Sequence, residues 1–128
     1  MANALFRLGL LLGKREYLET ASSMVEQMSA RIGKYPGGFA GWYKLLLKQQ
    51  QPHYEIAVVG PDAAKVLTQI QSQYLPQAVV AATSKESNLH LFKGRYTKDK
   101  THIFVCRDNV CQLPVEDLKD AKAIYNHQ

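Results

Sequence analysis

Cys106 and Cys111 are the residues whose type and spacing come nearest to chemistry. They flank Arg107-Asp108-Asn109-Val110, and Asp-Asn is a favoured two-residue turn between antiparallel strands. Residues 101–106 then read as one strand and 110–113 as its return, with Pro114 ending the hairpin. In that register Arg107 faces Val110 and Cys106 faces Cys111. The cysteine pair is of the closer, non-hydrogen-bonded kind, with Cβ atoms about 4.5–5.5 Å apart. Three chemistries fit such a pair: two reduced side chains in a core, a cross-strand disulfide (structural or redox-active), or half of a metal site. The behaviour of thiols in a reducing cytosol favours the first, and the geometry admits the second. Metal is the weakest of the three. Zinc takes four ligands, and His102, the nearest imidazole, lies about 13 Å along the strand from Cys106 at 3.3 Å per residue. Nor is the pair a thioredoxin-type centre, which sets two cysteines three positions apart at a helix N-terminus.

Other clusters give less. Val59-Gly60-Pro61-Asp62 stands at a strand-to-helix junction, where sheets of mixed architecture gather anions. One glycine, a proline without an N–H and an aspartate make it an ordinary capped turn instead. Gly37-Gly38-Phe39-Ala40-Gly41 follows a helix and lacks a Lys-Ser/Thr ending, so it is no phosphate loop. His53, His90, His102 and His127 are scattered without a Cys or Ser partner at a recognisable spacing. Glu16 with Glu19, and Glu116 or Asp117 with Asp120, have the spacing of solvated helix faces. Lys93, Arg95, Lys98 and Lys100, interleaved with Phe92 and Tyr96, could track an anion or a single nucleic-acid strand. Asp99 interrupts that run, and a net charge of +5 over 128 residues is small, so nucleic acid is not the expected partner. Neither a metal nor a cofactor is expected, and no residue is assigned a catalytic role.

The elements that must position these residues divide near Gln51-Pro52. Residues 1–51 read as helical. Ala2–Leu12 sets Ala4, Leu5, Leu8, Leu11 and Leu12 on one face, with Gly13 as its stop. Residues 16–32 repeat the period through Tyr17, Leu18, Ala21, Val25, Met28 and Ile32, ending at Gly33 ahead of a Pro36-Gly37-Gly38 loop. Residues 39–50 offer Phe39, Trp42, Tyr43, Leu46 and Leu47. Residues 52–128 read as a small α/β domain. Tyr54–Val59 is a buried strand, a helix opening at Pro61-Asp62 presents Val66, Leu67, Ile70 and Tyr74, and 78–82 is a second strand. Together they form a βαβ unit with parallel pairing. Residues 84–100 read as a long loop anchored by Leu89, Leu91 and Phe92, with room for one helical turn. After the hairpin, 115–125 reads as an amphipathic helix through Leu118, Ala121 and Ile124 or Tyr125.

With 46% hydrophobic and 21% charged residues, the composition is that of a soluble globular domain with a core of its own. No apolar run approaches the roughly 20 residues of a membrane span. The N-terminus has no signal-peptide pattern, and the expected setting is cytoplasmic.

Two sets of residues carry a resemblance. The first comprises Ala2-Asn3-Ala4-Leu5-Phe6-Arg7-Leu8-Gly9, Tyr17-Leu18-Glu19-Thr20-Ala21 and Tyr35-Pro36. The second is Val105-Cys106-Arg107-Asp108-Asn109-Val110-Cys111-Gln112-Leu113-Pro114, with the strand–helix–strand unit between the two sets. This order resembles the C-terminal end of the large thioredoxin-domain-containing proteins related to spermatogenesis-associated proteins. That family joins a thioredoxin-like domain, a six-hairpin (α/α) barrel similar to glycosidases and sugar epimerases, and a small α/β tail. Val115 departs from it, since the family more often places Thr after the proline. The resemblance implies a C-terminal fragment in which residues 1–51 are a remnant of the barrel. Its partners would be the remainder of the parent chain or a second copy bound through exposed helix faces. Its role would be structural or interactive, with no complete active site. A carbohydrate-processing activity would belong to the parent chain, and a thiol–disulfide role for Cys106 and Cys111 is the alternative for the piece itself.

Overall fold

The computed structural model describes residues 1–35, 37–107 and 110–126. It has an α/β fold in two compact units, Met1–Pro52 and His53–Gln128.

The first unit holds α1 (Ala2–Leu12), α2 (Arg15–Lys34) and α3 (Ala40–Gln50). Gly13 ends α1 at φ 63°, and its N–H reaches back to the carbonyls of Gly9 and Leu10, the left-handed stop expected of a residue without a side chain. The face that α1 buries is not the expected one. Ala2, Phe6, Gly9 and Leu10 are inside, whereas Ala4 and Leu8 are exposed. Gly9 explains the rotation. A Cβ there would stand 2.6 Å from Leu18 Cδ2, so the missing side chain is what lets α2 approach, and a stripe drawn through the large apolar residues overlooks it. In α2, Ala21, Val25 and Ile32 are buried as expected, and the helix runs through Gly33 to Lys34. In α3 the buried residue is Leu45, while Tyr43 and Leu47 are exposed. The Pro36 end of the expected loop lies outside the described residues.

The second unit is built on a four-stranded sheet of order β2-β1-β3-β4, with β1 Tyr54–Val59, β2 Ala78–Thr83, β3 His102–Arg107 and β4 Val110–Cys111. Strand β2 is parallel to β1, as the βαβ pattern predicts, and β3 is antiparallel to it. Helix α4 (Ala63–Gln71) and helix α5 (Leu118–Asn126) cover one face. There Tyr54, Ile56 and Val58 of β1 meet Ile103, Val105, Ala63, Ile70, Ala121 and Tyr125 in the core. Helix α4 is shorter than expected and leaves Tyr74 outside it, 90% exposed. Pro76 bars the helical conformation at the residue before it.

Two differences share a cause at the hairpin. Val115 exchanges backbone hydrogen bonds with Ile103, at 2.7 and 3.0 Å, so strand pairing resumes beyond Pro114 instead of ending there. With its N–H and carbonyl thus engaged, Val115 cannot start the helix. That role falls to Asp117, whose carboxylate accepts the Lys119 N–H at 2.9 Å and whose carbonyl accepts the Ala121 N–H, a side-chain cap of the usual kind. The Asp108-Asn109 turn lies outside the described residues.

Candidate functional site

The sheet's second face carries the polar residues. Strand β1 is buried along its whole length, and alternation sends Glu55, Ala57 and Val59 to the side opposite Ile56 and Val58. Glu55 is only 3% exposed and sits opposite Cys106 of β3. A carboxylate carried into the interior by an otherwise apolar strand must find charged or hydrogen-bonding partners there.

The long loop supplies the positive charge. The Leu89 carbonyl accepts the N–H groups of Phe92 and Lys93, the single helical turn expected there. Leu91 and Phe92 are buried as anchors, while Leu89 is exposed. Gly94 at φ 71° then turns the chain, a conformation that suits glycine, and Arg95 follows. Its guanidinium lies 4.9 Å from the Phe104 ring centroid, within cation–π range. Its Nη1 points at Cys106 Sγ at 3.6 Å and its Nη2 at Cys111 Sγ at 3.1 Å. Burial lowers the Arg95 pKa from its ordinary value, and the Glu55 charge opposes that shift.

The register predicted for the hairpin is observed: Cys106 pairs with Cys111 and Arg107 with Val110. The two sulfurs are joined in a disulfide. This corrects the reduced pair that compartment alone favoured. Cellular setting says how thiols are kept, whereas the register determines whether two of them meet. Cys106 is buried at 1% exposure, and Cys111 is exposed.

Several of the remaining sequence candidates are taken up in local structure, whereas His127 lies outside the described residues. Thr97 Oγ1 stands 2.9 Å from His102 Nδ1, and Lys100 Nζ donates to Glu116 Oε1 at 2.6 Å. The same Glu116 oxygen lies 3.7 Å from His102 Nε2. The Lys100 hydrogen bond is the main cause of a Glu116 pKa below the ordinary carboxylate value. Two cations of the basic run, Arg95 and Lys100, are therefore engaged within the unit. At the Gly60 turn the Asp62 N–H donates to Thr101 Oγ1 at 2.9 Å. Gly60 has φ 138°, and a Cβ there would collide with the Lys100 carbonyl and Thr101. The junction is a tight turn closed by protein groups. Among the described residues, no three or more His, Cys, Asp or Glu side chains are grouped so as to hold a metal ion. None of the described helices is long and apolar enough to cross a membrane.

Sequence reasoning found the two cysteines and missed Glu55 and Arg95 as their neighbours. Signals for both were present: one acid inside a β-branched run, and one arginine three residues after a paired apolar anchor.

Fold and site together define an α/β protein with a mixed four-stranded sheet, whose short edge hairpin is stapled by a disulfide under an arginine. No family model matches the chain, and no solved structure matches it. Over 127 residues it is 22% identical to Spermatogenesis-associated protein 20 of Rattus norvegicus, in an alignment covering 91% of this chain and 16% of that protein. The chain thus spans about a sixth of that relative's length, and the similarity supports a distant relation to the spermatogenesis-associated proteins.

Proposed function

We propose that this chain is the C-terminal, non-catalytic structural and interaction region of a larger protein in the thioredoxin-domain and six-hairpin-barrel family. In this reading residues 1–51 derive from the barrel's end, residues 52–128 form the tail, and the setting is cytoplasmic. The observation that carries the reading is the asymmetry of the match: nearly the whole chain aligns with a small share of a much longer relative. The polar residues of the second unit support it, since Arg95, Thr97, Lys100, His102 and Glu116 all contact one another or the sheet. So do the exposed apolar side chains Leu8, Tyr43 and Leu47 of the helical unit, which suit a segment that meets further protein.

Immunodetection of the native protein with an antiserum against the second unit tests this directly. The expected band runs far above 14.4 kDa, and a native band at that mass would end the reading. Light scattering across a concentration series adds a check on the helical unit. Self-association or binding of a hydrophobic dye is expected, and a strict monomer that binds no dye would count against it.

A further inference from the structure

We propose that Cys106 and Cys111 form a reversible dithiol–disulfide exchange site, in which small thiols attack Cys111 and Arg95 holds the departing Cys106 thiolate. This does not depend on the chain's origin, because every group involved lies in the second unit.

The asymmetry of the pair sets the direction of attack. Cys111 is exposed and Cys106 is buried, so an incoming thiolate reaches the Cys111 sulfur first. A new sulfur–sulfur bond forms there as the Cys106–Cys111 bond breaks, and the electron pair of the broken bond goes to Cys106 Sγ. A second small thiolate then attacks the sulfur of the first. That step releases the small-molecule disulfide and leaves Cys111 as a thiolate, which takes a proton from solvent. Two small thiols are thereby oxidised to one disulfide, and the protein disulfide is reduced by two electrons. Of the two protons the thiols give up, one ends on Cys111 and the other passes to solvent while Cys106 stays ionised.

The surroundings of Cys106 decide how well it leaves. From the loop, the Arg95 guanidinium spans both sulfurs, with one N–H group toward each. A cation in contact with sulfur favours the thiolate and makes it a better leaving group. From β1, the buried Glu55 lies opposite Cys106 and disfavours the thiolate. On its own strand, His102 lies four residues away on the same face, and Arg107 points to the other face, opposite Val110. From β4 the facing group is Cys111 itself. The Arg95 and Glu55 charges thus act with opposite sign, which gives the site a signature that a purely structural staple lacks. In a reducing compartment such a pair would cycle instead of staying permanently closed.

The test equilibrates the full chain in glutathione buffers of graded ratio, traps free thiols by alkylation and reads the reduced fraction by intact mass. A midpoint within the graded range is expected. The disulfide remaining closed across the whole range, in protein that circular dichroism shows to be folded, would overturn the proposal. Arg95→Gln is expected to lower the reduced-to-oxidised ratio about tenfold at a fixed buffer, the effect of one charge-assisted contact. Arg95→Lys should recover part of it, and Glu55→Gln should shift the ratio the opposite way. Equal ratios in all variants, or shifts of one sign in both Arg95→Gln and Glu55→Gln, would refute the arginine's role. Peptide mapping of the trapped intermediate should place glutathione on Cys111, and an adduct on Cys106 would reverse the assigned direction of attack.

Discussion

The two faces of one sheet solve burial in different ways. On the helix side, Ile56, Val58, Ile103 and Val105 meet the apolar stripes of α4 and α5, and area removed from water is enough to hold them. On the other side, the same strands present Glu55, Cys106 and Phe104, and the covering element is an irregular loop that contributes Arg95. Charge, a ring face and a covalent bond stand there in place of packed helices. A strand buried along its whole length can thus serve an anonymous core on one side and a specific constellation on the other, because successive side chains alternate.

The contrast can be broken most severely from the apolar side. Ile56→Ala deletes three carbons from a fully buried position and should destabilise the second unit by about 3 kcal/mol, read from the midpoint of urea denaturation. On the polar face, Arg95→Met keeps volume but removes the guanidinium from the Phe104 ring and from both cysteine sulfurs, which should cost about 1–2 kcal/mol, the half-exposed guanidinium keeping the figure low.

A smaller effect is expected where a polar group borders the helix-covered core. The Tyr125 hydroxyl donates to Gln73 Oε1 at 3.2 Å, and burial raises its pKa. Tyr125→Phe should cost about 1 kcal/mol, the net worth of one hydrogen bond. The smallest effect belongs to Glu116→Gln, because both partners of the Lys100 pair are exposed. That small effect should depend on pH. The folded Glu116 pKa is depressed, so the contribution is present above the unfolded carboxylate value and disappears as pH falls through the folded one. Thermal melts compared between neutral pH and mild acid should show wild type and Glu116→Gln converging in acid.

The helix-covered face was largely legible in the residues. Period-two and period-3.6 patterns located Tyr54–Val59 to the residue, the parallel β1–β2 pair, and the Leu118, Ala121, Ile124 and Tyr125 stripe, because apolar spacing is itself the cause of that packing. What was hidden depended on contacts between distant parts of the chain. The antiparallel placement of β3 beside β1 could not be read locally, and the partnership of Glu55 with Arg95 followed from it. The register of the cysteine pair was local and therefore visible, while their oxidation was not. In the helical unit the buried stripe of α1 was misjudged because Gly9 works through the absence of a side chain, and hydrophobic spacing counts what is present.

The bridge between Ile103 and Val115 bears on how the sheet meets other molecules. It draws the chain back against β3 just beyond Leu113-Pro114, so the outer rim at this end consists of a two-residue strand and then, after Gln112-Leu113, a proline. A foreign strand seeking to extend the ladder would find few amide groups to bond and then a residue with none to offer. Resistance to edge-to-edge polymerisation is thus built into the backbone beside the disulfide, independently of whether that bond is open or closed.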